Sequence, residues 1–165
     1  MSFKLHILPL IVVVMFTSCS PVESEQMSKN TSSDYGIDEK RQISLSNFFM
    51  LEEEQYLVFI YSETCGHCHQ IMGDVLEFSY QNIIPLYYLN ISIQENKIPL
   101  SLDIDSTIGL TTIDDLVIAG TPSLIEVQNH AILANVAGVD NCLTFLNEQR
   151  VTYSHHLKKW GLLAR

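Results

Sequence analysis

The sequence predicts an α/β domain, and three observations carry that prediction. Residues 57–61 form an apolar run with the composition of a buried strand. The segment directly after this run has the apolar spacing of a helix. Later in the chain, two short β-rich segments flank residues 128–130, which is the pattern of a hairpin. Strands that alternate with helical segments in this way indicate a sheet with helices packed on it.

The elements are predicted in order from their local patterns. The helix after the first strand is recognised by apolar residues that share one helix face: Cys68, Ile71, Met72, Val75 and Leu76. Ser44 or Ser46 can cap a helix before the first strand, and Asp140 can cap the last helix. Pro85 stands near the start of the second strand, where its missing N–H is tolerated. The predicted helices and strands lie at about residues 44–54 (helix), 56–61 (strand), 68–80 (helix), 83–91 (strand), 106–117 (helix), 123–127 and 131–136 (strands), and 140–150 (helix). Residues 92–105 show no clear pattern.

The N-terminus is predicted to lie outside the domain. Residues 7–16 are an apolar stretch that is too short to span a bilayer and has the size of a signal peptide's hydrophobic region. The stretch ends at Cys19 in a pattern that resembles the bacterial lipobox, although Phe16 stands where that pattern usually has Leu. We therefore expect residues 1–19 to be a signal peptide that leaves Cys19 as a lipidated N-terminus. The protein would then be exported and lipid-anchored to the extracytoplasmic face of the cell membrane. An ordinary secretory signal with an incidental cysteine is the alternative.

A polar segment follows, and it is predicted to be a disordered tether. Residues 20–42 are rich in Ser, Glu, Asn, Asp and Lys and contain few apolar residues. The folded domain is predicted at residues 43–150, with residues 151–165 as a C-terminal tail. The chain carries a formal net charge of −10 at pH 7 and has no basic stripe, so we expect it not to bind nucleic acid.

The most informative motif is Cys65-Gly66-His67-Cys68, between the predicted first strand and the helix that follows it. Two thiols separated by two residues can close a disulfide and reopen it. At the start of a helix, free backbone N–H groups and the helix dipole favour an anion. The Cys65 thiol is therefore expected to be a thiolate at neutral pH, with His67 as a neighbour that stabilises the charge.

This motif and three later features together resemble thioredoxin-fold proteins, specifically the membrane-anchored thioredoxin-like lipoproteins of bacteria. The later features are the strand end at residues 89–91, Gly120-Thr121-Pro122 before a strand, and the hairpin with the final helix. The resemblance covers about residues 43–150 and implies a thioredoxin-like fold, in which a central mixed β-sheet is flanked by helices. It also implies that the bond before Pro122 is cis and faces the cysteine pair. Thr121, Pro122 and Gly66 would then contact an extended substrate peptide.

The resemblance implies a thiol–disulfide oxidoreductase that acts on exported proteins. Cys65 would exchange with the thiols and disulfides of those proteins, and Cys68 would resolve the mixed disulfide. The Gly-His spacer, which includes His67, also occurs in protein disulfide isomerase-like domains and favours oxidation or isomerisation over reduction. A membrane or extracytoplasmic redox partner would complete the cycle, and no cofactor is expected.

The sequence departs from thioredoxins at two positions. Phe59 stands six residues before the first cysteine, where thioredoxins carry a buried acid, and Thr64 stands where they carry Trp. Without that acid, the proton of Cys68 must leave through water or through Glu63. Both departures argue against the reductase efficiency of a thioredoxin.

Three other functions are compatible with the motif. Cys65, Cys68 and His69 satisfy the C-x-x-C-H pattern of c-type haem attachment, with His69 as the axial ligand. The two cysteines and a histidine could instead belong to a structural zinc site, but such a site usually has a second ligand pair, and we expect no metal. The third alternative is a redox-inactive thioredoxin-fold module that only binds. In the main hypothesis His69 is a solvated helix residue, Tyr61 packs at the strand end, and Cys142 is a small buried apolar residue.

Overall fold

The computed structural model describes residues 35–159. The predicted signal peptide, the lipidation site Cys19 and most of the predicted tether lie outside the described residues, as does the end of the predicted tail. Within residues 35–159, no helix is both long and apolar enough to cross a membrane.

The fold is built on one mixed sheet of four strands. The strands are β1 Gln55–Tyr61, β2 Leu86–Asn90, β3 Ser123–Gln128 and β4 Ala131–Ala137. Their order is β2-β1-β3-β4, with β2 parallel to β1, β3 antiparallel to β1, and β4 antiparallel to β3. Two helices, α1 Gly66–Gln81 and α2 Val139–Lys159, pack on one face of the sheet. The predicted α/β class is confirmed.

Strand β1 runs through the middle of the molecule and contributes to two cores. Leu57, Phe59 and Tyr61 lie on the face that α1 and α2 cover, and all three are fully buried. Val58 and Ile60 point to the opposite face, where the segments before β1 and after β2 cover them. Because both faces are buried, the strand appears in the sequence as a continuous apolar run.

Helix α1 has the buried face that its spacing predicts. Its buried apolar residues include Cys68, Ile71, Met72 and Val75. The helix ends at Asn82, which adopts a left-handed conformation with φ of 50°.

The predicted hairpin is also present. Asn129 and His130 connect β3 to β4, and both have positive φ angles, of 51° and 60°. Two successive left-handed residues are typical of the type I′ turn that suits a tight antiparallel hairpin.

The prediction of a helix at residues 44–54 is wrong. Only a single 3₁₀ turn forms there, at Leu45–Asn47. The buried Tyr56 hydroxyl donates to the Phe48 carbonyl at 2.6 Å, and the Leu45 N–H donates to the Asn96 side chain at 2.8 Å. Tertiary hydrogen bonds therefore satisfy backbone groups that a helix would have paired internally.

The prediction of a helix at residues 106–117 is wrong as well. A short 3₁₀ turn, Ile104–Thr107, is followed by Gly109 with φ of 86°, a left-handed angle that interrupts a helix. The Gly109 N–H donates to the Ile132 carbonyl at 2.8 Å, and the Ile132 N–H donates to the Leu110 carbonyl at 3.0 Å. This segment therefore covers the open edge of β4.

The packed region extends beyond the predicted domain boundaries at both ends. Residues 35–42 fall in the predicted tether, yet Ile37 is only 6% exposed and belongs to the core beneath the helices. The adjoining Ile43 N–H donates to the Tyr88 carbonyl at 3.0 Å and covers the outer edge of β2. At the other end, α2 continues past Arg150 to Lys159, through residues predicted to be a tail.

Candidate active site at the start of helix α1

The cysteine pair occupies the first turn of α1, directly after the loop that leaves β1. Cys65 is the N-cap residue, and its Sγ accepts the Cys68 N–H at 3.3 Å. The sulfur thereby takes up one of the N–H groups that a helix start leaves without a partner. The Cys65 N–H closes the preceding turn by donating to the Ser62 carbonyl at 3.1 Å. Both thiols are free; Cys65 is half-buried and Cys68 is fully buried.

The surroundings move the pKa values of the two thiols in opposite directions. Partial burial acts to raise the pKa of Cys65. Hydrogen bonds from the Cys68 and Thr121 side chains and from the Cys68 and His67 amides outweigh that effect, so the pKa of Cys65 is lowered. Burial, together with the hydrogen bond to Cys65, raises the pKa of Cys68 to about 12. Cys65 is therefore the thiol that ionises readily, and Cys68 keeps its proton.

The Thr121–Pro122 turn lies beside Cys65. Its peptide bond is cis, as the resemblance to thioredoxin-fold proteins implies. The Thr121 carbonyl oxygen is 3.3 Å from the Cys65 Sγ, and the protonated thiol donates to it across a separation of 56 residues. The Pro122 carbonyl accepts the Gly138 N–H at 2.8 Å, which ties the turn to the end of β4. The structure thus brings the two most distant parts of the predicted site together.

Gly66 and His67 lie at the exposed rim of the site. A Cβ built on Gly66 would meet no atom within 4 Å, so the space around this residue does not require glycine. His67 acts on the pKa of Cys65 through its backbone amide, while its exposed ring lines an open cavity of about 450 Å³ next to residues 138–141. The substrate contacts of Gly66, Thr121 and Pro122 stay predictions.

A buried layer lies directly beneath the pair. Cys142 is fully buried, as expected, with its Sγ 3.8 Å from the Pro122 carbonyl oxygen. Burial, with a contribution from nearby Cys68, raises the pKa of the Cys142 thiol to about 12. Phe59 is also fully buried and stacks on Tyr61, with ring centroids 6.0 Å apart, which confirms Tyr61 as a packing residue.

Sequence reasoning missed the polar network that holds the approach to Cys65. The Glu63 N–H donates to the Ser92 hydroxyl at 3.0 Å, and the Glu63 carboxylate accepts from the Asn90 side chain at 2.8 Å. Asn90, which ends β2, also accepts the Ser92 N–H at 2.9 Å. A signal was available, because parallel strands end at the same edge of a sheet and the polar residues after β1 and β2 must meet there.

His69 is exposed, as expected, but it has specific partners. Its Nε2 lies 2.9 Å from the Glu63 carbonyl oxygen, and its ring lies against Tyr35 with centroids 4.8 Å apart. Haem attachment through Cys65, Cys68 and His69 stays a prediction. In the part of the chain that the structure describes, no group of three or more His, Cys, Asp or Glu side chains is placed to hold a metal ion.

Comparisons with protein-family models and with curated proteins find no match. Among solved structures, the chain is similar to thioredoxin f2 of Chlamydomonas reinhardtii, with 18% identity, a TM-score of 0.45, and coverage of 65% of this chain and 93% of that chain. It is also similar to the long form of spinach chloroplast thioredoxin f, with 14% identity, a TM-score of 0.46, and coverage of 66% and 84%. The oxidised thioredoxin of Plasmodium falciparum is similar at 15% identity, with a TM-score of 0.45 and coverage of 66% and 95%.

The topology of the chain itself is that of a thioredoxin-like α/β fold. A mixed four-stranded sheet carries a helix that begins at a Cys-x-x-Cys pair, and a cis-proline turn leads into β3 beside that pair. Such a fold with such a pair suggests thiol–disulfide redox chemistry.

Proposed function

We propose that the chain is a thiol–disulfide oxidoreductase that acts on exported proteins through the Cys65–Cys68 dithiol–disulfide couple. The proposal rests on the surroundings of two neighbouring thiols, which shift their pKa values in opposite directions. Cys65 is accessible at the helix start with a lowered pKa, whereas Cys68 is buried with a pKa raised to about 12. Cys65 is suited to attack a substrate disulfide, and Cys68 is suited to resolve the mixed disulfide that results.

The proposed reducing cycle has two exchange steps. The Cys65 thiolate attacks one sulfur of a substrate disulfide; a Cys65–substrate disulfide forms, and the other substrate sulfur leaves as a thiolate. Cys68 then gives its proton to solvent and attacks the Cys65 Sγ, which releases the second substrate thiolate. The substrate gains two electrons, and the Cys65–Cys68 pair loses two as its disulfide closes. In the oxidising direction the steps reverse, and the Cys68 thiolate takes up a proton as it leaves.

The proposed substrate surface is the rim formed by Gly66, His67 and the Thr121–Pro122 turn. The position of the Thr121 carbonyl, 3.3 Å from the Cys65 Sγ, supports this surface, because a peptide that pairs with the Thr121 backbone would pass over the sulfur. The open cavity beside His67 leaves room for a substrate side chain.

The test is a redox titration of the full chain in glutathione buffers, read by alkylation and mass measurement of Cys65 and Cys68. We expect a reversible two-electron couple. A potential of about −270 mV would favour a reductase, and one of about −180 mV or higher would favour an isomerase or oxidase. If the pair shows no reversible couple at any glutathione ratio, the proposal is wrong, and the alternative of a redox-inactive binding module is favoured. Strong absorbance in the Soret region by the purified protein would instead support haem attachment.

We also propose that the protein is exported and lipid-anchored through Cys19, which would place the couple among exported proteins and a membrane or extracytoplasmic redox partner. The apolar residues 7–16 and the lipobox-like end support this proposal. Cys19→Ser should move the full chain from the membrane fraction to the soluble fraction, while the matched control Cys142→Ser should stay with the membrane. Membrane retention of Cys19→Ser would contradict the anchor.

A further inference from the structure

We infer that Tyr35 and His69 are positioning residues for the redox pair, because together with the Glu63 backbone they form a clasp that holds the loop leading to Cys65. The inference rests on the proposed function, since it concerns the reactivity of the same thiol. We call this three-residue cluster the Tyr35–His69–Glu63 clasp.

The clasp is a set of hydrogen bonds that converge on the Glu63 carbonyl. The His69 Nε2 is 2.9 Å from the Glu63 carbonyl oxygen, which can only accept, so Nε2 carries the ring proton and donates it. The Tyr35 hydroxyl oxygen lies 3.1 Å from Nδ1 and 2.5 Å from Nε2 of the same ring. The shorter of these two contacts is to Nε2, so the Nε2 proton is shared between the Tyr35 hydroxyl oxygen and the Glu63 carbonyl oxygen. The Tyr35 hydroxyl in turn donates to the Glu63 carbonyl oxygen at 3.4 Å.

The other polar groups of Glu63 have partners outside the clasp. Its N–H donates to Ser92 and its carboxylate accepts from Asn90, both at the end of β2. The clasp supplies the remaining contacts, at the Glu63 carbonyl. Glu63 is thus held by residues at the end of β2 and by Tyr35 and His69.

The position of Glu63 bears directly on Cys65. Glu63 lies inside the turn that the Cys65 N–H closes onto the Ser62 carbonyl at 3.1 Å. His69 meets this turn twice, because its backbone N–H donates to the Cys65 carbonyl at 3.2 Å while its ring holds Glu63. The Cys65 Sγ needs the Cys68 N–H, at 3.3 Å, to stabilise its charge, and a hydrogen bond weakens steeply when its geometry is lost. A looser turn therefore makes a less stable thiolate.

Tyr35 is itself held in place by packing. Its ring meets Tyr61 edge-on, with centroids 6.0 Å apart, and nearby Ile37 is buried in the helix-side core. The clasp thus links the segment that enters the domain with the turn that presents the reactive sulfur. Removing the Tyr35 hydroxyl alone would leave the ring packing intact and test the hydrogen bond by itself.

The experiment compares four variants of the full chain by the pH profile of Cys65 alkylation with iodoacetamide and by the midpoint of the glutathione titration. His69→Leu should slow Cys65 alkylation at pH 6.5 by about fivefold, the usual size of one lost hydrogen bond. Its glutathione midpoint should move by a similar factor toward the disulfide, because the reduced form loses stability. Tyr35→Phe should show the same two shifts at about twofold. His69→Gln should restore part of the rate, since its amide can donate to the Glu63 carbonyl.

The matched control is Tyr80→Phe, which removes a hydroxyl from a tyrosine that is 73% exposed on the same helix. It should behave as the wild type in both measurements. If Tyr35→Phe and His69→Leu also match the wild type in profile and midpoint, or differ only in their unfolding temperature, the clasp has no role in reactivity and the inference fails. That outcome is distinct from failure of the proposed function, which would appear as a wild-type chain without a reversible couple.

Discussion

The start of helix α1 and the layer beneath it contain the same functional group with its pKa shifted in opposite directions. Cys65 is half-buried, and hydrogen bonds lower its pKa despite that burial. Cys68 and Cys142 are fully buried, and burial raises the pKa of each to about 12. At Cys65, hydrogen bonds at the helix start, including those from the Cys68 and His67 amides, outweigh the cost of partial burial. Cys68 and Cys142 each receive a backbone hydrogen bond too, but the cost of desolvation outweighs it.

The largest expected effect comes from removing either thiol of the Cys65–Cys68 pair. With an aromatic disulfide such as dithiobis(nitrobenzoate), the wild type should release about two equivalents of the coloured thiolate, one for each exchange step. Cys68→Ser should release about one and stop as a mixed disulfide on Cys65. Cys65→Ser should release almost no coloured thiolate in the time that the wild type needs to react, because its remaining thiols are buried. The control Cys142→Ser should behave as the wild type. Equal trapping by Cys65→Ser and Cys68→Ser would contradict the assigned roles.

The pH profile of alkylation measures the same contrast directly. The lowered pKa of Cys65 means that its thiolate is present below the ordinary thiol pKa of about 8.5, whereas Cys68 and Cys142 stay protonated well above that pH. At pH 7, iodoacetamide should modify Cys65 at least about a hundredfold faster than either buried thiol, as followed by peptide mass spectrometry. Coincident profiles for the three cysteines would mean that the helix start does not favour the charge.

A pair of substitutions at His67 separates its amide from its ring. The His67 amide lowers the pKa of Cys65, and proline is tolerated in the first turn of a helix but has no N–H to donate. His67→Pro should therefore slow Cys65 alkylation at pH 6 by up to about tenfold and lower the reduction potential, since the reduced form loses a hydrogen bond. His67→Ala keeps the amide and should change the rate less. A larger loss in His67→Ala than in His67→Pro would assign the effect to the ring instead.

The smallest effect is expected in the buried layer. Cys142→Ala should cost about 1 kcal/mol of unfolding free energy at pH 7, because it leaves a small cavity beneath the Pro122 turn. The folded pKa of Cys142 is raised, so the unfolded state loses its proton first and stability falls as pH rises from about 8.5 toward 12. Urea midpoints should therefore fall less between pH 7 and pH 10 in Cys142→Ala than in the wild type. If the urea midpoints of the two proteins fall equally between pH 7 and pH 10, the Cys142 thiol does not contribute to the loss of stability at alkaline pH.

The accuracy of the sequence-based predictions depended on how local their cause was. Strand β1 and helix α1 were predictable because adjacent residues carry their patterns, an apolar run and an apolar face. The helix predicted before β1 failed because Phe48 and Leu45 find partners on Tyr56 and Asn96, residues outside that segment. Propensity is a weak guide where such tertiary partners compete.

The residues of the candidate site show the same distinction between local features and features that depend on tertiary contacts. Cys65 and Cys68 are recognisable as a motif, and the Thr121–Pro122 turn was found through its resemblance to a family. The network around Glu63 was not found, because its partners at Tyr35, Asn90 and Ser92 meet it only when the strands are in register and the entering segment has packed.

The sequence by itself determined the chemistry available to this protein: two thiols at helical spacing, placed between an apolar strand and an amphipathic helix. Those features are local, so side-chain type and spacing are sufficient to reveal them. Only the tertiary structure decided that Cys68 is buried, that the Thr121–Pro122 turn lies beside Cys65, and what holds Glu63 in place. Burial and the contacts of Thr121 and Glu63 are properties of the assembled fold, and they depend on segments that are far apart in the chain.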